Sequence, residues 1–175
     1  MSIATGLATG KEATPELAKL AVSRAMEKAG ITSPSAVLLL LTSEFAKNPE
    51  PAIRAAAKTA ACTQVIGCSA PGIMTEEDWI LDTPAAAAMV FSDTATLSVT
   101  EKENASLLLT FAAPSAINST WLNRSLNQPT ARFGGISGDA TGQGAFSVWQ
   151  NGKASVARLA FAVNHAMMLR DKGLC

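Results

Sequence analysis

Two glycine-tipped runs constrain this chain more than any other feature: Val65–Met74 (VIGCSAPGIM) and Phe133–Gly144 (FGGISGDATGQG). In the first, β-branched Val65 and Ile66 read as the end of a buried strand. The strand then gives out into Gly67, Cys68, Ser69 and Ala70, and Pro71-Gly72 is a turn signal. A thiol, a hydroxyl and open backbone are thereby delivered into a small space. Strand ends in α/β sheets are common ligand sites. A tight turn around a buried cysteine is the plainer reading of the same residues, since free cysteine is among the most buried types.

The second run turns one tip into a pattern. Gly67-Cys68-Ser69-Ala70 aligns with Gly135-Ile136-Ser137-Gly138. An apolar strand and a helical segment precede each tip. Gly67 lies 30 positions after Val37, and Gly135 lies 28 after Leu107. Two further strand-like runs follow each. Repetition at this length suggests a duplicated supersecondary unit. The expectation is one domain over residues 1–175, built of two pseudo-symmetric halves (about 1–101 and 102–163) plus a short C-terminal tail. The two tips would then face one shared cleft.

Composition narrows the function classes. The hydrophobic share is 48%, enough to build a core, and charged residues are 16%, below the usual quarter. With 14 basic and 14 acidic residues and no Lys/Arg cluster, there is no electrostatic footprint for nucleic acid. Low charge also points to a covered surface, and a homodimer is expected. No signal-peptide pattern opens the chain, and no apolar run reaches the ~18 residues that span a bilayer. Three widely spaced cysteines and one histidine fit neither a disulfide framework nor the usual zinc site. A cytoplasmic protein without metal or cofactor is expected.

Taken in order, Ser2–Thr9 reads as a strand. Thr14-Pro15 opens a helix, Ala18, Val22, Ala25, Met26 and Ala29 form its apolar stripe, and Gly30 stops it. Val37–Leu41 is a continuous apolar strand. Asn48-Pro49-Glu50 opens a second helix, so Ser2–Ala70 reads βαβαβ with parallel strands. Trp79–Asp82, Ala85–Ser92 and Thr96–Glu101 read as antiparallel hairpin material, with a seam over Glu101–Ser106. Ser106–Phe111 is a strand, Ser115 or Asn118 caps a helix that Pro129 ends, and Ala131–Ser137 is the second tipped strand. Phe146–Trp149 and Ser155–Val163 form a hairpin through Asn151-Gly152. Asn164–Lys172 reads as a short tail helix. The fold class is α/β with an α+β tendency: mixed, duplicated sheets with helices packed outside.

This order resembles the FIST family, the "F-box and intracellular signal transduction" sensory domains. The resemblance rests on VIGCSAPG followed by a run ending AAAAMVFS, and on GGISGDA followed by FSVWQNGKASVARLAFAV. It covers the stretch from about Ala4 to Val163 and corresponds to that family's N-terminal region. It implies a sensor for small ligands such as amino acids, with a signalling partner protein. The family's C-terminal companion domain, and any kinase, cyclase or receiver segment, are not read in this sequence.

Candidate ligand-binding residues are Gly67, Cys68, Ser69, Gly72, Gly134, Gly135, Ser137, Gly138 and Asp139. A zwitterionic amino acid needs a carboxylate for its amine and N–H donors for its own carboxylate. Asp139 and the glycine backbone would supply these, although an ordinary turn aspartate is the competing reading. Gly142 and Gly144 extend the glycine run, but neither GxxxxGK[ST] nor GxGxxG is present. Trp79 and Trp149 would wall a pocket or pack in the core. No catalytic residue is assigned. The alternatives are a cysteine-dependent hydrolase or transferase using Cys68, with His165 as its base, and a non-catalytic interaction or dimerisation module.

Overall fold

The computed structural model describes residues 2–92, 95–99, 107–126, 131–155 and 158–165. The first half follows the expected order: β1 (Ile3–Thr9), α1 (Pro15–Ala29), β2 (Ala36–Thr42), α2 (Glu50–Ala60) and β3 (Val65–Ala70). Then come β4 (Gly72–Met74), β5 (Trp79–Leu81), β6 (Ala85–Phe91), β7 (Ala95–Val99) and β8 (Leu107–Ala112). The chain continues through α3 (Ser119–Leu126), β9 (Ala131–Ile136), β10 (Val148–Gln150), β11 (Lys153–Ser155) and β12 (Arg158–His165). The expected seam at 101–106, Pro129 and the tail beyond His165 lie outside the described residues.

Six strands form one sheet in the order β1-β6-β2-β3-β10-β11, and four form a second, β7-β12-β8-β9. The class is α/β, as expected. β2 and β3 pair in parallel, and β6 pairs antiparallel with both β1 and β2. The first three strands therefore run the same way, with β6 inserted between β1 and β2. That insertion corrects the hairpin reading of residues 79–101. β4 and β5 pair with each other, β6 enters the first sheet and β7 enters the second. The reason lies in Ala85–Ala88. Ala86 and Ala88 face α1 and α2, while Ala85 and Ala87 face the β4–β5 hairpin. A strand so low on both faces is covered closely from either side.

Two further corrections are local. Pro49, not Asn48, occupies the cap of α2. The strand expected over Ser155–Val163 is split: β11 closes a hairpin with β10 at Asn151-Gly152, whereas β12 crosses to the second sheet. Asn164 and His165, expected in a tail helix, belong to β12.

The main core lies between the first sheet and its helices. It is built by Val37, Leu39, Leu41, Val65 and Trp149 against Ala18, Val22, Ala25, Ile53 and Ala56. A second core fills the space between the sheets with Ile66, Cys68, Phe91, Leu97, Phe111 and Val148. Strand alternation explains the division: odd-numbered residues of β2 meet the helices, and Leu38 and Leu40 face the second sheet. Among the described residues no helix is long and apolar enough to cross a membrane.

Candidate functional site

The two tips meet, but the meeting is filled. Ser69 and Ser137 are buried with their hydroxyl oxygens 2.8 Å apart. The Ser147 N–H donates to Ser137 Oγ (2.9 Å) and Ser69 Oγ (3.2 Å), and Ser147 Oγ donates to the Ala46 carbonyl at 2.8 Å. Backbone bonds tighten the joint: Ser137 N–H to Ala112 O at 2.8 Å, and Gly138 N–H to Ser69 O at 3.3 Å. Gly138 also packs on Pro71; a Cβ there would lie 3.3 Å from its ring. Where a shared open cleft was expected, three serines hydrogen-bond one another in a closed junction. Buried hydroxyls must find partners, and here they find each other.

The tips share a backbone peculiarity. Gly67 (φ 152°) and Gly134 (φ 146°) each present the site of a missing Cβ to a carbonyl on the parallel neighbour, Leu39 O and Thr110 O respectively. L side chains rarely adopt such φ values. By this geometry Gly67 corresponds to Gly134, one position earlier than the sequence alignment with Gly135.

Cys68 is buried in the core between the sheets, and burial pushes its thiol up to about 12. A nucleophilic cysteine needs its thiolate at working pH, and burial of Cys68 opposes that form. His165 stands on β12 opposite Ala95, in the other sheet. The raised value has a sign. The folded state holds the proton, so the stabilisation is present below about 9 and is lost as pH rises towards 12. In a Cys62→Ser, Cys175→Ser background at neutral pH, alkylation of Cys68 should be at least a hundredfold slower folded than in urea. Comparable rates in the two states would show the thiol to be accessible.

Asp139 is committed to its own loop. Its carboxylate accepts from the Thr141 N–H (3.1 Å), the Thr141 hydroxyl (3.0 Å), the Gly144 N–H (2.9 Å) and the Gly142 N–H. Desolvation raises its pKa, but these donors together hold the carboxyl below its usual range. The competing reading, a turn aspartate, describes it: the acid organises residues 139–144. Gly72 pairs with Leu81 in the β4–β5 hairpin. Trp79 is exposed on that hairpin, and Trp149 is wholly buried.

The open space lies elsewhere. A hollow of about 460 Å³ lies between α3 and the β8–β9 pair. Gly134 and Gly135, both expected site residues, line it. Asn118, one of the two expected caps, accepts the Trp121 N–H at 2.9 Å and so fixes the start of α3. Trp121 then stands over Arg132, whose guanidinium carbon is 5.4 Å from the ring centre. Arg132 also donates to the Thr110 hydroxyl at 2.8 Å. Ile117, Leu122, Phe133 and Ile136 supply apolar wall.

Sequence reasoning missed Arg132, Trp121 and Thr110. The available signal was one arginine in a strand otherwise made of alanine, phenylalanine, glycine and isoleucine. β9 is an exposed outer strand, where an arginine is ordinary, so that signal alone would not have singled it out.

The chain is an α/β domain of a six-stranded and a four-stranded sheet with the β4–β5 hairpin, and a hollow lies beside the glycine-tipped strand β9. The family model of the FIST N domain matches residues 35–168. The chain belongs to the FIST N domain family, a family of sensory domains in signal transduction. No curated protein matches it significantly.

Proposed function

We propose that the chain is an intracellular sensory domain that reversibly binds a small metabolite, the size of an amino acid, in the hollow beside β9. The observation that carries this is the hollow itself: about 460 Å³, within the range of ligand pockets, with Gly134 and Gly135 in its wall and Arg132, which donates to the Thr110 hydroxyl, among its lining. A signalling partner would read the change that binding makes in α3 and β9. Family membership supports the sensory role. The thiol buried at the other strand tip argues for binding without covalent chemistry.

A panel of amino acids, short carboxylic acids and nucleotides at millimolar concentration, read by thermal shift, tests the proposal. A ligand selective for the folded state raises the midpoint as its concentration exceeds Kd. Leu122 is 44% exposed on the rim, so Leu122→Trp narrows the hollow without disturbing a core. The expected result is a shift of several degrees for a subset of compounds, lost in Leu122→Trp. A shift that survives this change would place binding elsewhere, and a panel without effect would remove the reading.

A further inference from the structure

The β4–β5 hairpin departs from the usual pattern of an antiparallel ribbon laid on a core. Such a ribbon turns apolar side chains inward and polar ones to water. Its inner face keeps the pattern: Ile73 is buried with Leu7, Ala85 and Ala87, and Ile80 packs against them. The outer face breaks it. Met74 is 74% exposed, Trp79 65% and Leu81 49%. Strand alternation puts all three on that face. Met74 and Trp79 are direct partners across the ladder, and Leu81 leans over Gly72, where a Cβ would lie 2.2 Å from its Cδ2. A tryptophan beside a methionine on an exposed face combines a large rigid anchor with an adaptable surface, as protein-binding patches do.

The turn that joins the strands is both fixed and acidic. The Thr75 N–H donates to Asp78 O at 2.9 Å, and the Trp79 N–H to Asp78 Oδ1 at 2.8 Å. Lys28 of α1 donates to Glu77 at 2.7 Å and also to Glu76, which accepts from the Thr5 hydroxyl of β1 as well. The loop is thereby tied to α1 and β1, and a face held in one orientation loses less freedom on binding. Residues 72–82 carry four acids, Glu76, Glu77, Asp78 and Asp82, and neither lysine nor arginine. The single ammonium of Lys28 is shared between two of those carboxylates.

From this combination we propose that the outer face of the β4–β5 hairpin is a docking surface for a protein segment whose apolar side chains are flanked by lysine or arginine. The apolar side chains lie on Trp79, Met74 and Leu81, and the basic ones meet the acids of the turn and of the β5 end. Charge selects this occupant over the others an apolar face could take. A second copy docked through the same face would bring two sets of these carboxylates together. An anionic bilayer or a nucleic acid would set its phosphates against them. Nothing in this face depends on what the hollow beside β9 holds.

Two short synthetic peptides of leucine and lysine serve as probes, one with leucine at helical spacing and one with the two residues alternating. A third carries glutamate in place of every lysine of the tighter binder. Fluorescence anisotropy of the labelled peptides gives affinity. NMR of the tryptophan indoles gives the place, with Trp79→Phe assigning its signal. At least one leucine–lysine peptide should move the Trp79 indole and bind at least tenfold more tightly than its glutamate counterpart. Trp79→Ser should weaken it tenfold or more, as loss of a central aromatic anchor does, and Met74→Ser severalfold. Both side chains are exposed, and melting curves confirm that the variants are folded. Glu77→Gln combined with Asp82→Asn should weaken binding and flatten its dependence on salt; asparagine accepts the positive φ of Asp82.

Equal binding of the lysine and glutamate peptides would overturn the basic partner. Binding that leaves the Trp79 indole unmoved and survives Trp79→Ser would overturn the face. Self-association in sedimentation that Trp79→Ser abolishes would make a second copy the occupant, and binding to phosphatidylserine vesicles lost in the same variant would make it a membrane; either result overturns the proposal. So would failure of both leucine–lysine peptides to bind at millimolar concentration.

Discussion

Gly67→Ala should prevent the chain from reaching its native fold. An alanine Cβ at this position would stand 1.8 Å from Leu39 O and 2.9 Å from both Leu39 C and Trp149 Nε1. The first atom belongs to the backbone of β2, paired in parallel with β3 at this register. β2 is also held by β6 on its other side, and β10 holds β3. Helices cover the face that would receive the methyl. No neighbour can retreat, and φ 152° is itself a conformation that alanine resists. A cost above about 4 kcal/mol is expected, a large part of the roughly 5–15 kcal/mol that holds a typical domain together. The variant should be recovered unfolded or aggregated, without a cooperative melting transition.

Two companions sharpen that result. Gly134→Ala meets the same obstacle, with a Cβ 1.7 Å from Thr110 O. Yet β9 is the outer strand of its sheet, so it can lift away. Ligand binding should be lost while the first sheet stays folded. At Gly135 the Cβ would find only Cys68 Sγ, at 3.9 Å. That is ordinary contact, and Gly135→Ala should fold normally. A Gly67→Ala protein that melts within a few degrees of the parent would mean that β2 and β3 do not approach as described.

These glycines show what the sequence could and could not disclose. Strands, helices and their order are local matters of periodicity and punctuation, and β1 through β3 with both intervening helices were legible on that basis. The insertion of β6 was not, because an alanine-rich strand carries no mark of which neighbours it will have. Nor was the split between β11 and β12 legible. Val148–Gln150 and Lys153–Ser155 announce their hairpin through Asn151-Gly152, but nothing local says that the chain then changes sheets. The tips were found from small residues, and Ser69 and Ser137 do touch. What those residues could not say was whether small means open or small means tightly closed. At Ser69 and Ser137 it means closed; at Gly134 and Gly135 it leaves an opening. The distinction depends on α3 and on the single arginine opposite it, both distant in sequence from the first tip.

The second large effect concerns Trp149, which is wholly buried and stands across the ladder from Gly67. It packs into the core between the first sheet and its helices, and the close approach of its indole nitrogen to Gly67 shows that the two positions fit as one unit. Trp149→Ala should cost about 3–5 kcal/mol, the usual penalty for emptying a large aromatic site. Trp149→Phe should behave differently. The indole Nε1–H is buried without a hydrogen-bond partner among the described residues, and a buried donor left unsatisfied costs about 1–3 kcal/mol. Phenylalanine loses part of the contact area but removes that orphan donor, so the two changes oppose each other. The expected loss for Trp149→Phe is less than half that for Trp149→Ala. Urea unfolding measures both, with the midpoint carrying the result and an unchanged m-value certifying that the same surface is exposed. Equal losses in the two variants would show that the indole N–H is bonded in solution and contributes to stability. A small loss for phenylalanine beside a large one for alanine would show that position 149 is held by volume rather than by its indole N–H.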